Sequence, residues 1–152
     1  MDDISTIATI ITTLSIVIGV ILALLELRHL TEARKTEIIM GIYNKFGSRE
    51  IVEATLKVGN AKFENLADYR EKYGFAEVTE IAVLFEGLGV LLEQNLIDIN
   101  LVDSLFGPTL HSLWDRMQPV LYAMRKGLNE PFFFSHFEYL IKRLDTYRKK
   151  SQ

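Results

Sequence analysis

The sequence predicts an all-α protein, with one N-terminal transmembrane helix continuing into a stalk and then a small helical bundle. Two observations carry this. From Ile4 to Leu25 there are 22 consecutive residues without a charge. Beyond them, apolar residues recur at helical spacing between Gly, Pro and Asn punctuation, and no stretch alternates as a strand would. The expected organisation is an anchor over 1–27, an amphipathic stalk over 28–47 and a cytoplasmic helical domain over 48–152.

As a helix, the uncharged run spans ~33 Å, enough for a hydrocarbon core of ~30 Å. Fifteen of its residues are Ile, Leu, Val or Ala, and the rest are Gly19 and six hydroxyl residues. A cleaved signal needs a basic leader, a shorter apolar run and a small-residue cleavage site. Here Asp2 and Asp3 precede the run and Leu24-Leu25-Glu26-Leu27-Arg28 closes it. A buried helix of a soluble bundle is the other rival, and the length of the run argues against it. No Lys or Arg precedes the span, whereas Arg28, Arg34, Lys35 and Lys45 follow it. That asymmetry predicts a single pass through the cell (inner or plasma) membrane, N-terminus outside and C-terminal domain in the cytoplasm.

The anchor has two faces. Ser5, Thr9, Thr12, Ile16, Gly19 and Ala23 fall in one sector, and Ser15, Gly19 and Ala23 form a small-xxx-small run. In lipid such a stripe favours close helix packing, against its own copy or a partner's helix. The competing account is that the hydroxyls bond back to carbonyls of their own helix.

Each later element follows from periodicity and its punctuation. Leu27, Leu30, Ile38, Ile42 and Phe46 extend the first helix to Phe46, where Gly47-Ser48 breaks it. Ser48 caps a short helix to Val58, Gly59-Asn60 is a turn, and another short helix runs from about Ala61 to Lys72. The core helix spans Val78–Leu96, where Gly87 and Gly89 are tolerable if another helix packs closely. Asp98 and Asn100 open a turn ending at Gly107, and Pro108 begins a helix to Lys126 that Pro119 kinks. Asn129 then caps a final helix that buries Phe133, Phe137, Leu140, Leu144 and Tyr147.

The chemistry is sparse. A net charge of −3 and the absence of cysteine exclude a whole-protein basic field for nucleic acid, disulfides and thiolate chemistry. Glu26 and His29 make half of a di-metal Glu-x-x-His motif, and neither His111 nor His136 supplies a second half. His111 and Asp115 lie one turn apart without an activated nucleophile, which reads as a surface contact. No catalytic, cofactor or metal residue is expected, and the protein is not expected to be an enzyme.

Glu86 sits among core positions, with Glu93 a heptad later. Buried, it requires a cation, and Arg125 is preferred over Arg116; otherwise the two glutamates mark a solvated stripe. Lys142, Arg143, Arg148, Lys149 and Lys150 form a basic end. Cations there suit the helix dipole, and anionic cytoplasmic lipid is a second possible target.

Four segments carry a resemblance: Arg28-His29-Leu30-Thr31-Glu32-Ala33-Arg34-Lys35; Phe85-Glu86-Gly87-Leu88-Gly89 leading into Leu96-Ile97-Asp98; the Trp114, Pro119 and Arg125 helix; and Phe137-Glu138-Tyr139-Leu140. In this order they resemble a family of short prokaryotic proteins with one N-terminal membrane helix and a helical domain of unknown function. The resemblance implies the architecture and brings no activity. The expected function is a membrane-tethered interaction module that associates with itself or another membrane protein through the bilayer. The alternative is an accessory subunit of a larger membrane enzyme or transporter. No small-molecule ligand can be named from these residues.

Overall fold

The computed structural model describes residues 2–151, with the side chains of residues 6–150. The described residues form six helices and no strand: α1 Asp2–Phe46, α2 Arg49–Asn60, α3 Leu66–Tyr73, α4 Ala76–Glu93, α5 Ile99–Leu128 and α6 Ser135–Ser151.

Helix α1 runs unbroken through the uncharged segment and beyond it. The chain divides into two compact units, residues 1–37 and 38–152. In the first, the large apolar residues from Ile7 to Leu25 are all exposed. In the second, Ile39 is fully buried, and Phe46 meets the rings of Phe85 at 5.5 Å and Phe106 at 5.6 Å. The second unit thus takes in the last turns of α1, which the sequence assigns to the stalk. These turns carry Ile39, Ile42 and Phe46 at core spacing and are absorbed into the bundle.

The short helices owe their ends to local chemistry. Ser48 Oγ accepts from the Ile51 N–H at 3.5 Å, and Ile51, Ala54 and Val58 form the buried face of α2. Asn65 Oδ1 accepts from the Asp68 N–H at 3.0 Å to start α3, and Gly74 ends it with a φ of 70°. Helix α4 buries Val78, Ile81, Ala82, Phe85, Leu88 and Leu92, and packs chiefly on α6 and α2.

Helix α5 departs from expectation. It begins at Ile99, so that Pro108 lies inside it and not at its start, while Pro119 lies inside as expected. A proline inside a helix costs ~3 kcal/mol or more. The buried residues Val102, Phe106, Leu110, Leu113, Met117 and Leu121 continue past both prolines, so burial of that stripe outweighs the break expected at Gly107. Asn129 is the other correction. With a φ of 56° it closes α5 in the left-handed conformation, and α6 starts only at Ser135. Phe137, Leu140 and Leu144 are buried as expected, whereas Phe133 and Tyr147 are only partly so.

Phe85 is central to the aromatic core: its ring lies 5.2 Å from Phe137 and 6.1 Å from Phe106, and Trp114 meets Phe137 at 5.0 Å. Phe85→Ala should destabilise the domain by ~3–5 kcal/mol. Val83→Ala, on the exposed face of the same helix, should stay within ~0.5 kcal/mol. Denaturant unfolding of the detergent-solubilised chain, followed by fluorescence of its single tryptophan, measures both.

Candidate functional site

The polar groups singled out by the sequence gather where α6 docks on α4 and α5. Phe134, the residue before α6, has no side-chain acceptor to cap it and adopts a φ of 55°. The acceptor comes from 51 residues away: Glu86 Oε2 takes the Phe137 N–H at 2.7 Å. A carboxylate at this position answers both an orphan N–H group and the positive end of the helix dipole. The other oxygen, Oε1, lies 2.8 Å from His136 Nδ1, and Glu93 Oε2 lies 3.2 Å from His136 Nε2.

Glu86 therefore does not pair with Arg125. Arg125 donates from Nη1 to Glu138 Oε2 at 2.7 Å, from Nε to the Phe133 carbonyl at 2.7 Å and from Nη2 to the Phe134 carbonyl at 3.1 Å. A planar guanidinium suits this three-way grip on a turn and a carboxylate. Burial acts to raise the pKa of Glu138, but hydrogen bonds from Lys142 and Arg125 outweigh it and hold the carboxyl below its ordinary value. The sequence offers Arg125 as the cation for a buried Glu86; Glu86 faces His136 instead, and Arg125 grips Glu138. His136 enters the sequence reading only as a residue that fails to complete a metal motif, because its two carboxylate partners lie on another helix.

The approach at this joint is close. A Cβ at Gly89 would land on the His136 carbonyl, whereas one at Gly87 would meet nothing within 4 Å. The expectation of tight packing at these glycines holds for Gly89 alone.

The other end of α6 is tied differently. Arg148 donates to Asp103 at 2.7 Å, over Gly107, where a Cβ would collide with this ion pair. His111 Nε2 lies 2.7 Å from Asp145 and its Nδ1 lies 3.0 Å from the Gly107 carbonyl; Asp145, not Asp115, is its partner. Of the expected basic end, Lys142 pairs with Glu138 at 2.6 Å, Arg143 lies over the Tyr139 ring and Arg148 is engaged with Asp103. Lys149 and Lys150 are exposed.

On α1, Thr9, Thr12, Ser15, Gly19 and Ala23 are all exposed, and the side chain of Ser5 lies outside the described residues. The hydroxyls of Thr12, Thr13 and Ser15 donate to carbonyls four residues back, each at 2.9 Å. Gly19 has open space around it. Of the described helices, α1 is long and apolar enough to cross a membrane, a test that a signal sequence near an N-terminus also passes. Among the described residues no group of three or more His, Cys, Asp or Glu is placed to hold a metal ion.

Substitutions at the joint have opposite signs. Gly89→Ala should destabilise the domain, and Gly87→Ala should stabilise it by up to ~1 kcal/mol through helix propensity. Glu86→Ala should cost ~1–3 kcal/mol by orphaning the Phe137 N–H, and Glu86→Gln less, because an oxygen remains. Unfolding midpoints of the four variants check these expectations.

The family described as Domain of unknown function (DUF4760) matches residues 13–144. The chain belongs to that family. No curated protein and no solved structure matches it.

Proposed function

We propose that this chain is a membrane-anchored, non-catalytic interaction module. Helix α1 crosses the cell membrane once, holding the helical domain on the cytoplasmic side. The observation that carries this reading is the contrast between the two units: large apolar residues from Ile7 to Leu25 have no protein cover, while the domain from Ile38 buries a core of its own. So long an uncovered apolar surface suits lipid as its solvent. Arg28, Arg34 and Lys35 beyond the run favour the cytoplasmic side for the domain.

The hydroxyls of Thr12, Thr13 and Ser15 are satisfied by their own helix, so they can sit in an apolar environment without a partner. What remains for association is close backbone approach along Ser15, Gly19 and Ala23. We assign self-association of the module to this face.

The absence of cysteine makes the topology directly measurable. A single cysteine replacing Lys149 should escape a membrane-impermeant maleimide in intact cells and react after lysis; labelling of intact cells would overturn the orientation. The intact mass of the membrane-extracted protein should retain α1, and its loss would mean a cleaved signal. In mild detergent the protein should be a homo-oligomer that falls to monomer on Gly19→Ile. A monomeric wild type, or a second chain in fixed ratio, would overturn self-association.

A further inference from the structure

We propose that the imidazolium form of His136 is a proton-dependent latch that holds the first turn of α6 on α4. Both ring nitrogens face carboxylates, Nδ1 toward Glu86 at 2.8 Å and Nε2 toward Glu93 at 3.2 Å. A neutral imidazole carries one N–H, so it can answer one carboxylate while turning a lone pair toward the other. Only the doubly protonated ring answers both. Glu86 is also the acceptor for the Phe137 N–H, so the proton on His136 and the cap of α6 share one carboxylate.

The surrounding charges leave His136 to these two glutamates. On α5, Arg125 is committed to Glu138 and to the carbonyls of Phe133 and Phe134, and Tyr122 lies under the Arg125 guanidinium. On α6 itself, Glu138 is shared between Arg125 and Lys142. The hydrogen bond with Glu86 raises the pKa of His136 above the ordinary 6.5; the charges of Glu86 and Glu93 add to it and partial desolvation opposes it. A pKa higher in the folded chain than in the unfolded one fixes the sign. The latch contributes fully below the unfolded value and is lost as pH rises through the folded value. Loss of the proton leaves two carboxylates facing each other across one donor, and the α6 start opens while the α4 core stays closed.

Hydrogen exchange on the detergent-solubilised full chain tests this between pH 6 and 9, with rates corrected for the intrinsic effect of pH. In the wild type, corrected exchange over residues 135–140 should rise severalfold with pH while residues 81–88 stay unchanged. His136→Gln should exchange quickly at that segment with no pH step, and His136→Lys, which keeps a cation, should stay protected throughout. A wild-type profile without a step overturns the latch, as does a step of equal size in either variant. Should His136→Gln fail to fold, the wild type and His136→Lys decide between them.

Discussion

The domain depends on a carboxylate placed where a helix begins. Helix α6 fills one side of the bundle with Phe137, Leu140 and Leu144, yet the residue before it has no side chain able to cap it. Glu86 supplies that acceptor from the middle of α4, and because it holds the Phe137 N–H it also fixes the longitudinal register of α6. The ring stack of Phe85 on Phe137, the contact of Trp114 with Phe137 and the backbone approach at Gly89 all require that register. Hydrophobic burial supplies most of the free energy here, but it is tolerant of small slides. A directional bond at the helix start removes the tolerance.

How much of this could be read in the residues follows from how local each signal is. The uncharged run, the periodic stripes of α2, α4 and α6, and caps such as Ser48 rest on neighbours in sequence, and they are legible. Pro108 misled because a proline marks a helix start only when nothing stronger continues the stripe, and Phe106 and Leu110 continue it. Asn129 misled because asparagine serves both helix starts and left-handed helix ends; the choice depends on Arg125 and Lys126, whose carbonyls accept its N–H. The position of Glu86 among core residues signals a need for a partner if it is buried, but the choice among partners depends on the placement of α6 and is not written in spacing.

The boundary between anchor and domain illustrates the same limit. The change in composition falls near Glu26, where charge first appears, whereas the change in packing falls at Ile38. Between these points α1 is a helix without an apolar run to bury or a core to join, held in part by pairs such as Lys35 with Glu32. Membership of a family of unknown function brings no chemistry to this chain. Its functional reading therefore rests on the two surfaces: one apolar and uncovered, the other closed by its own ion pairs and caps.

The turn before α6 shows what bracing does to a vulnerable stretch of chain. Residues Phe132, Phe133 and Phe134 follow one another in a segment outside any helix, with Phe132 79% exposed. Proteases of aromatic specificity would find three successive targets there in the unfolded chain. Cleavage needs several residues to extend into an enzyme's cleft, and Arg125 holds two of these carbonyls while burial holds the Phe134 ring. Nicking of the native protein at this turn is therefore controlled by how often Arg125 lets go, and not by how prominently Phe132 is displayed.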